Sequence, residues 1–169
     1  MIRQAKHEDV EQIVKIAKKA IHVMNAEGSD QWNTDYPTRV HFSNDIDHQS
    51  LYVKEESGQL MGFIVVDQDI ANTYQYVTWS FPDEEAGTFH RLAVDPYIRN
   101  KGVAKELIQF AETKCKEEGL KAMKVDTYEL NTKTQRLFER LGYNYVGKSK
   151  EGSGKPYPFY FYEKLLNVE

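Results

Sequence analysis

One stretch of the chain combines residue types that can do chemistry. It reads Phe89-His90-Arg91-Leu92-Ala93-Val94-Asp95-Pro96-Tyr97-Ile98-Arg99-Asn100-Lys101-Gly102-Val103-Ala104. A strand-forming run stops at a proline, which gives no amide to a ladder, and a helix opens through a glycine. Arg99, Lys101 and Lys105 cluster at that helix start. The positive end of a helix dipole favours acids there, so the cations conflict with it. A bound phosphate resolves the conflict: free amides, dipole and side-chain charge then point at one anion. A basic surface turn with an ordinary punctuating glycine is the plainer alternative.

The glycine spacing excludes two other phosphate motifs. No G-x-G-x-x-G is present, so no dinucleotide fingerprint follows. Gly152-Ser153-Gly154-Lys155 has the wrong spacing for a P-loop, and Pro156 stands where a hydroxyl should hold a metal. His7, His22, His41 and His48 lack paired metal-ligand spacing, so no metal is expected. Cys115 lies on an apolar helix face and reads as core.

The elements that must position this stretch follow from periodicity. Ile2–Ala5 reads as a short strand, and Val10, Ile13, Val14, Ala17, Ile21 and Met24 mark an amphipathic helix. Gly28–Asn44 has no clear period but carries Trp32, Tyr36, Pro37 and Phe42, which predicts a loop packed on something. Leu51–Val53 and Leu60–Val66 flank Ser57-Gly58-Gln59 as a hairpin. Gln75–Phe81 is expected as a strand from its β-formers, and so is Thr88–Val94. A long helix follows with Val103, Leu107, Ile108, Phe110, Ala111 and Cys115 inward, closed by Gly119. Ala122–Tyr128 is a strand, Thr132–Leu141 a helix, and Tyr143–Lys148 and Phe159–Leu165 the last two strands. The order predicts an α/β fold with a mixed sheet packed by helices. The acids Asp45, Asp47, Glu55 and Glu56 are expected in solvent, and Arg91 is expected to pair with Asp126.

The 169 residues suit one domain spanning 1–169. With 40% hydrophobic and 28% charged residues, the chain is neither disordered nor fibrous. The net charge of −4 argues against nucleic acid and anionic membrane as partners. The acidity is uneven: from Arg91 to Lys105 four cations face only Asp95. One cysteine permits no internal disulfide. The N-terminus enters charged sequence at once, so a cytoplasmic protein is expected.

Arg99-Asn100-Lys101-Gly102-Val103-Ala104 resembles the R/Q-x-x-G-x-G/A signature of the GNAT acyl-CoA N-acyltransferases. Asn131, Leu137, Phe138 and Leu141-Gly142-Tyr143 resemble that family's N-x-x-A-x-x-L-Y-x-x-x-G-F segment. The likeness extends over the element order of the whole chain. It implies a mostly antiparallel, splayed sheet flanked by helices, and transfer of an acetyl group from acetyl-CoA to an amine of a small molecule or peptide by direct attack. It implies that the amides of Arg99, Asn100, Lys101, Gly102, Val103 and Ala104 hold the CoA pyrophosphate. Leu92, Ala93 and Val94 would line the pantetheine arm through main chain, with Asn131, Thr134 and Phe138 beside it.

The resemblance departs at two places. Phe138 stands where the family commonly has a tyrosine that protonates the leaving thiolate, so Tyr128 is the first replacement to test. Thr88 stands where some members carry a catalytic glutamate. His90, two residues on, faces the same side, and histidine is the side-chain type suited to take a proton near neutral pH. Glu84 and Glu85 are further choices through water. The acceptor walls implied are Trp32, Tyr36 and Tyr160. A homodimer is common in the family. A CoA-binding sensor or accessory protein of the same fold is the alternative function.

Overall fold

The computed structural model describes residues 1–98 and 102–166. Among these, seven strands and four α-helices follow in the order β1 (Ile2–Gln4), α1 (Val10–Ala26), α2 (Arg39–Asp47), β2 (Leu51–Glu56), β3 (Gln59–Asp67), β4 (Ala86–Val94), α3 (Val103–Glu117), β5 (Ala122–Tyr128), α4 (Thr132–Arg140), β6 (Asn144–Ser149) and β7 (Phe159–Leu165). Their hydrogen-bonded order is β1-β2-β3-β4-β5-β7-β6. β1–β2, β2–β3, β5–β7 and β6–β7 pair antiparallel, and β4–β5 pairs parallel. The fold is therefore a mixed α/β open sheet with flanking helices. Contacts divide the chain into two units: 1–66 with 90–110, and 67–89 with 111–169. β4 and α3 each contribute to both.

In the first unit, Ser57 and Gly58 both have positive φ, at 53° and 80°. That is the geometry of a two-residue hairpin turn matched to strand twist, and it joins β2 to β3 as the sequence predicts. α1 turns Ile13, Ile16, Ala17 and Ile21 inward, where they meet Leu51, Val53, Phe63 and Val65 from the hairpin. On the other side of these strands, Tyr52 packs against Phe110 of α3, ring centroids 4.8 Å apart. A Cβ on Gly62 would lie 2.8 Å from the Ala93 carbonyl oxygen, so glycine permits the close approach of β3 to β4. The Asp95 amide donates to Met61 at 2.9 Å beside it.

α2 corrects the expected loop over 28–44. Its buried apolar residues are Phe42 and Ile46, one turn apart, while Val40 is exposed. His41 Nδ1 accepts the Thr38 amide at 2.9 Å, which fixes the helix start.

In the second unit, β7 runs antiparallel between β5, in unbroken register, and β6, whose register shifts between Tyr145 and Gly147. β4 pairs with β5 over Ala86↔Ala122 and Gly87↔Met123, the first two residues of each strand. One face of this sheet carries Phe89, Tyr143 and Tyr162 around Phe138 of α4, with centroid distances of 5.4–5.8 Å from Phe138. The other face is covered by the segment expected as a strand over 75–81. It instead forms a 3-10 turn at Asn72–Tyr76 and then an irregular run. Tyr74 stacks on Trp79, both rings meet Phe161, and Glu163 accepts the Ser80 and Phe81 amides at 2.9 and 3.1 Å. A buried carboxylate thus replaces the ladder partners that a strand would have used.

Candidate functional site

β4 positions the first group of candidate residues. Arg91 has φ +46°, which breaks the alternation of a regular strand. Its guanidinium does not reach Asp126, the expected partner. It forms a fork with Asp45 of α2, Nε to Oδ2 at 2.7 Å and Nη2 to Oδ1 at 2.6 Å. Nη1 donates to the Tyr36 hydroxyl at 2.9 Å. Asp45 is buried, contrary to its expected place in solvent, because α2 turns it toward this cation. Burial works against the Arg91 charge, but the Asp45 bonds outweigh it and leave its pKa above the ordinary value. His90 and Leu92 flank Arg91 and are half-buried, and Ala93 is buried.

Asp95 ends β4 and fixes the turn after it. Its carboxylate accepts the Tyr97 amide at 2.9 Å and pairs with Lys19 at 3.1 Å. Its carbonyl accepts the Ile98 amide at 3.1 Å, a turn with proline at the second position. Arg99, Asn100 and Lys101 lie outside the described residues. The chain re-enters at Gly102, with φ +111° and no atom within 4 Å of where a Cβ would stand. The Glu106 amide donates to the Gly102 carbonyl, so α3 begins here. Val103, Ala104 and Lys105 form the first turn of α3, and a helix N-terminus by its dipole favours an anion. Lys54 holds Glu106 at 2.9 Å, which ties up the one acid of the first turn.

The second unit holds the other group. Tyr128 ends β5 fully buried, its ring 4.9 Å from that of Phe159, and its hydroxyl receives the Tyr157 amide at 3.4 Å. Asn131 caps α4 and accepts the Gln135 amide at 3.2 Å. Gln135 was not singled out in the sequence. Its side-chain amide donates to the Tyr128 and Glu129 carbonyls at 3.2 and 2.8 Å and holds the β5–α4 connection. Thr134 is half-buried, and Phe138 is inside the aromatic cluster at 2% exposure. Arg140 is exposed on α4.

The aromatic candidates divide. Trp32 is buried in the core of the first unit, and Tyr36 packs beside it with its hydroxyl on Arg91. Tyr160, in the second unit, donates to Glu129 at 3.1 Å and meets the exposed ring of Tyr145. Among the described residues, no group of three His, Cys, Asp or Glu is placed to hold a metal ion, and no helix is long and apolar enough to cross a membrane.

Comparison with known proteins adds independent observations. The model of the acetyltransferase (GNAT) family matches residues 17–143. YjaB of Salmonella typhimurium, a peptidyl-lysine N-acetyltransferase, is 24% identical over 168 residues, covering 99% of this chain and 95% of that protein. A solved candidate acetyltransferase of Staphylococcus aureus is 35% identical, covers 99% of both chains and superposes with a TM-score of 0.77. A GNAT family acetyltransferase of Streptococcus agalactiae is 27% identical over 100% of this chain and 96% of that one, with a TM-score of 0.81. The fold, at 18% identity and a TM-score of 0.73, also matches Salmonella typhimurium yncA, solved with acetyl-CoA; the match covers 100% of this chain and 95% of that one.

Proposed function

Because this chain belongs to the GNAT acetyltransferase family, we propose that it moves an acetyl group from acetyl-CoA to a primary amine by direct attack. The observation that carries this is the family match over residues 17–143, which takes in Gly102, where a Cβ would meet open space, and the start of α3 behind it. Bound acetyl-CoA supplies an activated thioester carbonyl. Val103, Ala104 and Lys105 amides receive its phosphates, and the β4 backbone around Leu92 offers main-chain groups to its arm. A strand amide of β4 stabilises the charge that grows on the carbonyl oxygen during attack. The acceptor ammonium must first lose a proton, and His90 on β4 is one side chain of the right type. The relative named for peptidyl-lysine supports a lysine-bearing peptide as the first acceptor to test.

The test is incubation with acetyl-CoA and a panel of amines, lysine peptides included. Free thiol and acetylated product are followed, with acetyl-CoA binding measured by calorimetry. Stoichiometric thiol and acetyl-amine formation is expected; absence of acetyl-CoA binding refutes the reading. A second reading, an acyl-CoA-binding protein of weak turnover, draws on Phe138, which has no proton to give, and on Tyr128, whose hydroxyl is engaged by Tyr157. Binding without thiol release on any acceptor would favour it.

A further inference from the structure

The buried ion pair of the first unit leaves hydrogen-bond donors unspent. Asp45 accepts from Arg91 Nε and Nη2 at 2.7 and 2.6 Å, and the Tyr36 hydroxyl oxygen accepts from Nη1 at 2.9 Å. A phenol that accepts through its oxygen still has its own O–H to give, and a guanidinium has more N–H groups than these bonds use. Among the described residues, neither that O–H nor the remaining N–H groups of Arg91 meet an acceptor. The phenol is the accessible end of the cluster, since Asp45 is 7% exposed and Tyr36 is half-buried.

Tyr36 has little freedom to turn away. Its backbone exchanges two hydrogen bonds with Asn33, at 2.9 and 3.2 Å, and its ring meets His41 edge-on at 4.7 Å. With the hydroxyl on Arg91 as well, the donor is set in place before a ligand arrives, and little ordering is lost on binding. Its place in the fold suits an acceptor. Arg91 belongs to β4 and is the neighbour of Leu92, along which the arm of acetyl-CoA is proposed to run. The phenol therefore lies one side chain away from that strand.

The unspent groups define the ligand. All are donors, so the group they meet must accept hydrogen bonds. Asp45 already balances the guanidinium, and its carboxylate would oppose a second one brought close. A neutral carbonyl fits where a carboxylate gains nothing.

We propose that the Tyr36 hydroxyl donates to a carbonyl oxygen of the acceptor, and that the acceptor is an amine joined to a neutral amide, as a lysine side chain is within a peptide. This rests on the acetyltransferase reading above. The Arg91–Asp45 pair acts through the phenol, and both are positioning residues.

The experiment compares three amines of equal carbon count. Aminocaproamide is lysine amide without its α-amine, aminocaproate is the matching carboxylate, and hexylamine has no carbonyl. Acetylation of each is followed by free thiol at saturating acetyl-CoA. Wild type should favour the amide over hexylamine by about tenfold in kcat/KM, the effect of one hydrogen bond, and over the carboxylate by a similar factor. Tyr36→Phe, which keeps the ring, should bring the amide-to-hexylamine ratio within twofold of one. A ratio between substrates cancels any general loss of fold or of acetyl-CoA binding, so a merely structural tyrosine would leave it unchanged. Should Tyr36→Phe fail to fold, wild type still decides: caproamide, which cannot be acetylated, should inhibit hexylamine turnover competitively, and caproate should not. Equal kcat/KM on amide and hexylamine, a preference for the carboxylate, a preference that survives in Tyr36→Phe, or no inhibition by caproamide overturns the inference and leaves the transferase reading intact. Wild type that binds acetyl-CoA and acetylates none of the three amines overturns both.

Discussion

Arg91 offers a test in which two structural arguments predict opposite things from ordinary strand behaviour. Its φ of +46° lies in the left-handed region. A side chain held there costs roughly 1–3 kcal/mol. The fork to Asp45 is nearly dry, with side chains 14% and 10% exposed. Breaking a buried pair from one side costs about 3–5 kcal/mol, because the remaining charge is stranded. In Asp45→Ala the guanidinium keeps its bond to Tyr36, so the loss should sit near the lower end, about 3 kcal/mol. For a chain of this size that is a melting decrease of roughly 6–12 °C. In Arg91→Ala the pair is lost and the left-handed backbone remains. In Arg91→Gly the pair is lost and the backbone relaxes. Glycine in a strand is normally the worse of the two by about 0.5–1 kcal/mol. Here Arg91→Gly should be the more stable by about 1 kcal/mol. Urea unfolding of the three variants measures all of this. Glycine no better than alanine refutes the strain argument. A loss under about 1 kcal/mol in Asp45→Ala refutes the stabilising role of the pair.

Three further outcomes are expected. Cys115 is 2% exposed, and burial pushes its thiol up to about 12; native protein should therefore react negligibly with a thiol reagent at pH 8 and gain one reactive thiol on unfolding. A prompt native reaction would contradict its burial. Asp9 accepts from Arg3 Nη1 and Nη2 at 2.8 and 2.9 Å, and that pair of bonds, against the opposing effect of burial, holds its carboxyl below the ordinary 3.8. Its contribution is complete above the unfolded-state value and lost as pH falls through the lower folded one. Asp9→Asn should flatten the acid side of the stability–pH curve, and a parallel curve for the variant would refute this. Gly87→Ala would drive a Cβ into Cys115 Sγ and to 3.3 Å from Leu120. We expect about 1–3 kcal/mol of destabilisation by urea unfolding, and wild-type stability would show that α3 yields freely there.

Much of the fold was legible because its signals are local. The β2–β3 hairpin was announced by its turn residues, α1 and α3 by apolar period, and the end of α3 by Gly119, which has φ +84°. The turn proposed to hold the phosphates was marked in the same way, by a proline, a glycine and a helix start in sequence. α2 was not, because a nine-residue helix needs little more than Phe42 and Ile46 inward, and its third buried residue is the charged Asp45. The run over 75–81 misled because Tyr, Val, Thr, Trp and Phe favour strands only where a ladder is free to receive them. Here Glu163, from a distant strand, takes the amides instead. Non-local partners of that kind leave no mark in a short window.

The aromatic residues show why the catalytic groups were harder to assign than the cofactor turn. A ring is apolar on either face of an element, so composition does not say whether it lines a site or fills a core. Trp32 and Phe138 fill cores, and Tyr128 is packed so fully that its hydroxyl serves the Tyr157 backbone. Tyr74, just before the expected strand, is likewise spent on packing, stacked on Trp79 and edge-on to Phe161. Strand alternation pointed Arg91 toward Asp126, yet Asp45 and Tyr36 hold the guanidinium. Both partners lie in or just past the stretch that had no clear period, Tyr36 in a loop and Asp45 in α2, so no rule about neighbouring strands could have selected them.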